Sequence, residues 1–155
     1  MNPLQPLMTL LTQCERERDE LAVACQRAAM SHRSATAQAE QLVVYRGEYE
    51  QRWTEQFKTD GRMELVNCYR GFMDRLTQAV EQQQRVVVHA QAALDQARLK
   101  LRDGEIRVAS VRKLIERRQA EARLSADRRE QKTTDEFASR AAWNRQHDSD
   151  RADVF

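Results

Sequence analysis

Helix breakers are scarce in this 155-residue chain, which holds 4 glycines and 2 prolines. Tight turns are correspondingly few, and a helix once started meets little to stop it. Aromatic residues make up 6% and hydrophobic residues 41%, against 32% charged and a mean hydropathy of −0.82. That balance excludes a thick globular core and fits long helices with a narrow apolar stripe. Cysteine is limited to Cys14, Cys25 and Cys68, with no CxxC spacing and no histidine pair nearby, so neither a zinc site nor a disulfide framework is expected. No run is long and apolar enough for a membrane span. The first apolar run, residues 7–11, is too short for a signal peptide and lacks a basic leader. A reduced, cytoplasmic chain is the expectation. Phosphate loops, HExxH, GxSxG and Cys-His arrangements are all missing. The chain is therefore expected not to be an enzyme and to need no cofactor or metal.

What is present is a rhythm. Apolar residues recur at alternating steps of four and three through Leu7, Leu11, Cys14, Leu21, Cys25, Ala28, Ala35, Ala39, Leu42, Tyr49 and Trp53. The same steps resume at Val66, Tyr69, Met73, Leu76, Val80, Val87, Ala90, Leu94, Ala97, Leu101, Val108, Val111 and Ile115. This is the heptad seam of a coiled coil, broken once at Asp60-Gly61. If the chain folds back there, facing residues have numbers summing to about 122. Leu7 then meets Ile115, Leu11 meets Val111, Leu21 meets Leu101, Leu42 meets Val80 and Tyr49 meets Met73. The fold class expected is all-α, a long antiparallel two-helix coiled-coil hairpin forming a single domain over 1–155.

Helix one is expected over about 4–57, with Asn2-Pro3 as N-cap and first position. Its seam has three polar exceptions: Arg18, which faces Gly104, His32, which faces Ala90, and Arg46. Small residues opposite leave room for the large ones to lean outward, and such exceptions also fix register. The turn is expected at 58–62, where Asp60-Gly61 tolerates positive φ. Helix two is expected over about 63–145, softened at Gly104, with a disordered end at about 147–155. Its seam fails after Ile115, because helix one has run out. The remaining helix formers predict a single-helix overhang of roughly 25 to 30 residues, about 40 Å long.

Two surfaces exceed what a hairpin needs. Near the turn, Val43, Val44, Tyr45, Phe57 and Phe72 flank the seam with no third layer to cover them. They read either as a partner-binding patch or as a thickened end that holds the hairpin shut. On the overhang, Leu124, Phe137, Ala138, Ala141, Ala142 and Trp143 combine with Arg117, Arg118, Arg123, Arg128 and Arg129. These fit a helix seated in an acidic socket, or a solvated helix held by pairs such as Arg123 with Asp127. The formal net charge is +2 with signs mixed throughout. Residues 112–129 are locally basic and leave a nucleic-acid-binding hairpin as a reading of another class. A coiled coil that associates with itself is a third.

The tail carries a resemblance. Arg129-Glu130-Gln131-Lys132, followed by Asp135-Glu136-Phe137-Ala138-Ser139-Arg140-Ala141-Ala142, resembles the C-terminal signature of the FliJ family of the bacterial flagellar type III export apparatus. Leu42-Val43-Val44-Tyr45-Arg46-Gly47-Glu48-Tyr49 and Asn67-Cys68-Tyr69-Arg70-Gly71-Phe72 resemble the family's pattern on either side of the turn. The resemblance implies a hairpin similar to the gamma-subunit stalk of rotary ATPases. Implied partners are the hexameric flagellar export ATPase, the cytoplasmic part of the transmembrane export gate, and the flagellar export chaperones. Implied location is the cytoplasmic face of the inner membrane at the flagellar base. The gate-contacting face carries over to Gln38, Leu42, Tyr45, Tyr49, Phe72, Leu76 and Ala79, with Gln83 at its border. The ATPase contact carries over to Arg128, Gln131, Asp135, Phe137 and Arg140. Gln83 departs from the apolar seam, and the sequence beyond Trp143 has no counterpart in the signature. The equivalent stalk of a virulence-type secretion system shares this architecture and stands as the nearest alternative.

Overall fold

The computed structural model describes residues 3–152. Two helices account for nearly all of them: α1, Gln5–Thr59, and α2, Met63–Ala152. They lie in antiparallel contact, an all-α hairpin without strands among the described residues. The chain divides into two compact units, one Gln13–Val108 and the other drawn from Met1–Thr12 with Ala109–Phe155.

In the unit Gln13–Val108 every seam residue is buried or half-buried while most of its neighbours are exposed. Cys14, Ala35, Leu76, Val80, Leu94 and Val108 form the buried core, with Val80 and Val108 each 2% exposed. Register can be read from several contacts. Gly104 sits against Arg18 and Leu21, Trp53 stacks on Tyr69 with ring centroids 5.6 Å apart, and Tyr49 lies on Phe72 at 4.2 Å. Gly104 with Arg18, Trp53 with Tyr69 and Tyr49 with Phe72 sum to 122, 122 and 121, the register that the seam implies, and Leu21 reaches Gly104 from the neighbouring seam position. Arg18 leans out of its seam position as its long stem allows. Its guanidinium donates to Asp19 Oδ1 at 3.0 and 3.1 Å. His32 and Arg46 stay half-buried.

Gly104 does more than soften α2. A Cβ there would stand 2.9 Å from Leu21 Cδ1 and 3.6 Å from Arg18 Cα. The missing side chain is what lets α1 come close.

Residues 60–62 link the helices. Lys58 lies in the last turn of α1 and Glu64 in the first turn of α2, each suited in sign to its helix end. Asp60 N–H donates to Gln56 O at 2.9 Å, and Asp60 Oδ1 holds Arg62 Nε at 3.4 Å. The positive φ that Asp60-Gly61 would tolerate is not used: among the described residues no backbone adopts it. A Cβ on Gly61 would meet only Phe57 O, at 3.6 Å, an ordinary contact. The link reverses the chain with backbone angles any residue adopts.

In the second unit, half-buried Leu7 and Leu11 accompany Val111 and buried Ile115. α1 begins at Gln5 with Pro6 in its first turn, where a missing N–H costs nothing. The expected cap Asn2 lies outside the described residues. After Ile115 every residue of 116–152 is exposed, as the failing seam foretold. The helix does not stop at about 145, however. It continues to Ala152, so a disordered end from 147 is corrected as far as 152, and 153–155 lie outside the described residues. The physical reason is local. No glycine or proline interrupts 144–152, and side chains brace the last turns: Arg145 Nε donates to Ala141 O at 3.4 Å and Ser149 Oγ to Gln146 O at 2.9 Å. His147 stacks on Trp143 with centroids 3.9 Å apart.

Candidate functional site

The surface near the turn is built on heptad geometry. Residues one step to either side of a two-helix seam point to opposite flanks. On α1, Gln38, Tyr45 and Arg52 recur every seven residues along one flank, and Thr36 and Val43 along the other. On α2, Phe72, Ala79 and Val86 follow the first flank in the same way. The apolar excess is therefore divided between two flanks. Tyr45 and Phe72 belong to one, and Val43 to the other, where it borders a hollow of about 510 Å³ with Thr36, Val44, Gln84, Val87 and Val88.

The rings form a ladder that crosses the seam obliquely, from Tyr45 on the first flank through the seam residues Tyr49 and Trp53 to Phe57, fourteen residues on from Val43, on the second. Tyr45, Tyr49, Trp53 and Phe57 follow one another up α1 with centroids 5.7, 6.1 and 5.4 Å apart. Phe72 and Tyr69 close on it from α2, Tyr69 meeting Phe57 edge-on at 5.3 Å. Offset and tilted pairs at these distances rigidify the end beyond their buried area. A hollow of about 280 Å³, lined by Tyr49, Arg52, Trp53, Gln56 and Leu65, opens beside the ladder. Gln83, half-buried in the seam, donates through Nε2 to Ala35 O at 3.0 Å and to Gln38 Oε1 at 3.3 Å. Its amide is thereby satisfied across the helix pair.

The expected gate-facing residues are thus drawn to one region, but they do not all reach its surface. Gln38, Tyr45 and Ala79 are exposed, Tyr45 by 44%. Leu42, Tyr49, Phe72 and Gln83 are half-buried. Leu76 is 8% exposed and belongs to the core, so it supports the face from beneath. Arg52, Gln56 and Leu65, not expected from the sequence, border the same region around the hollow beside Tyr49 and Trp53, and Val86 follows on its flank. Val86 is 45% exposed, and the seven-residue step from Phe72 through Ala79 was the signal that reaches it.

The expected ATPase-facing residues Arg128, Gln131, Asp135, Phe137 and Arg140 are all exposed on α2. At about 100° per residue, Arg128, Gln131 and Asp135 share one face, while Phe137 and Arg140 turn to another. Phe137 is 69% exposed, Leu124 52% and Trp143 59%, and no apolar residue of 116–152 is buried. Among the described residues no cluster of His, Cys, Asp and Glu stands ready to hold a metal ion. No described helix is long and apolar enough to cross a membrane.

A family model described as "Flagellar FliJ protein" matches residues 3–147. No curated protein and no solved structure gives a match.

Proposed function

The chain belongs to the flagellar FliJ family and so is a flagellar export-related protein, and from that premise we propose that it acts, without catalysis, as the stalk of the export ATPase ring. The observation that carries this reading is the wholly exposed helix of 116–152. A single helix in water gains little from its own hydrogen bonds and is stabilised chiefly by packing its apolar face. Here Leu124 and Phe137 are mostly exposed, and Trp143 packs only on His147 of its own helix. A ring that encloses the overhang supplies the missing surface.

The same reading gives the turn end a second task. The exposed Tyr45, with Gln38 and Ala79 beside it, offers an aromatic anchor rimmed by polar groups, the usual composition of a binding hot spot. It suits the cytoplasmic part of the export gate, with Leu42, Tyr49, Phe72, Leu76 and Gln83 holding it in shape. Exchange of export chaperones and residence at the cytoplasmic face of the inner membrane belong to the same proposal.

The test is ATP hydrolysis by the export ATPase, titrated with this protein. Full-length chain is expected to stimulate hydrolysis, and a chain cut after Gln119 is expected not to. Equal stimulation by both would remove the overhang from the mechanism.

A further inference from the structure

Eleven residues separate Arg118 from Arg129, Arg129 from Arg140, and Arg140 from Arg151. Eleven residues make three helical turns with a remainder of about 20°. The four side chains therefore leave α2 along one nearly straight ribbon, at levels about 16 Å apart. All four residues are exposed.

The ribbon differs from the rest of the overhang. The same angular count places Ala122, Ser125, Thr133, Asn144 and His147 within about 35° of the line, with Glu136 as the one carboxylate of 116–152 among them. The other carboxylates of that segment fall about 70° or more to either side. A helix of mixed charge thus carries one positively charged line, with the small residues Ala122 and Ser125 in the gap between Arg118 and Arg129, where a second backbone can approach.

Counting eleven back from Arg118 reaches Arg107. There another helix does lie alongside, and Arg107 Nη1 stands 3.6 Å from Glu17 Oε2 of α1. An arginine in this register, once given a neighbour, meets a carboxylate of that neighbour.

We propose that Arg118, Arg129, Arg140 and Arg151 form a docking rail for an acidic protein surface that runs along the overhang and presents carboxylates at matching levels. The inference rests on the stalk reading in taking the export ATPase as the partner. It deepens that reading by spreading the contact along the helix instead of concentrating it at one end. A nucleic-acid duplex or an anionic bilayer fits less well. Each presents charge without gaps and would also meet the carboxylates on either side of the ribbon.

Two triple variants of the full chain separate the rail from bulk charge. Arg118→Glu/Arg129→Glu/Arg140→Glu reverses the ribbon, and Arg117→Glu/Arg123→Glu/Arg145→Glu makes the same change in net charge off it. Circular dichroism checks that both stay helical. The concentration giving half-maximal ATPase stimulation is expected to rise roughly tenfold for the ribbon variant and less than about threefold for the other. Equal shifts, or none, would overturn the rail.

A second measurement does not depend on the ATPase. A helical peptide with glutamate at every eleventh position is compared with an isomer carrying the same glutamates at every seventh. The wild-type chain is expected to bind the first several-fold more tightly at low salt, with the preference lost in the ribbon variant. Equal binding of both peptides overturns the rail. Should wild-type chain leave ATP hydrolysis unchanged while the peptide preference holds, the stalk reading fails and the rail stands.

Discussion

Replacing Gly104 tests how closely the two helices approach, because two opposing effects meet there. Alanine in a helix interior is favoured over glycine by about 0.8–1.0 kcal/mol. Against that, its Cβ would stand 2.9 Å from Leu21 Cδ1, the mobile tip of a half-buried side chain. Moving that tip off its rotamer costs about 0.5–1.5 kcal/mol, so Gly104→Ala is expected within about 1 kcal/mol of wild type by these two magnitudes. Leucine has nearly the helix propensity of alanine, so the step from Ala to Leu isolates the steric effect. Beyond the Cβ lie Arg18 Cα at 3.6 Å and Arg18 Cβ at 3.8 Å, and the α1 backbone has no rotamer to escape into. Overpacking of this kind costs about 1–3 kcal/mol, so Gly104→Leu is expected to be less stable than Gly104→Ala by about that amount. Gly47 is the control, since a Cβ there would meet nothing within 4 Å. At that site Ala and Leu are both expected to stabilise by up to about 1 kcal/mol. Urea unfolding followed by far-UV circular dichroism measures all four variants. The reasoning is refuted if Leu and Ala are equally stable at position 104, as they are expected to be at 47.

The remaining expectations use the same assay unless stated. Leu76→Ala removes a core side chain, 8% exposed, and is expected to cost about 2–5 kcal/mol, whereas Tyr45→Ala should cost under about 1 kcal/mol and weaken gate binding. Binding unaffected by Tyr45→Ala would exclude the ring from the contact. A double-mutant cycle on Tyr49 and Phe72, 4.2 Å apart, is expected to show a coupling of about 0.5–1.5 kcal/mol, and additive losses would deny the stacking. Gly61→Ala is expected to stabilise by about 0.4–1 kcal/mol, because φ there is not positive and only the unfolded chain loses freedom. A large loss would mean that the link needs glycine after all.

Much of the hairpin was legible because heptad periodicity is a one-dimensional signal. A seam that repeats every seven residues specifies which residues turn inward, and a single break in it locates the fold-back. The end of pairing at Ile115 followed from counting along both seams. The length of the overhang was less legible. Residues 144–152 have weak composition signals, and their helicity depends on braces such as Ser149 to Gln146 O that compete with other local hydrogen bonds. At the turn-end surface, composition showed the aromatic excess but not its division between two flanks. That Tyr45 faces outward while Phe72 is caught under Tyr49 is a matter of packing. A variant pairing Tyr45→Ala with Phe72→Ala therefore mixes contact with stability, and Tyr45 alone is the cleaner probe.

The pattern of residues by itself determined that the protein is a helical hairpin, where it turns, which residues line its seam and that one helix outlasts the other. Each of these depends only on spacing along a helix of known pitch. Tertiary structure alone decided how near the helices come and what each surface residue is free to do. Gly104 reads in isolation as a weak point, yet it is the gap that admits Leu21. Leu76 carries over as a contact residue and lies instead in the core. Gln83 interrupts the seam, and its amide is satisfied by Ala35 and Gln38 of the other helix. Periodicity records which way a side chain points; what it meets there depends on atoms distant in the chain.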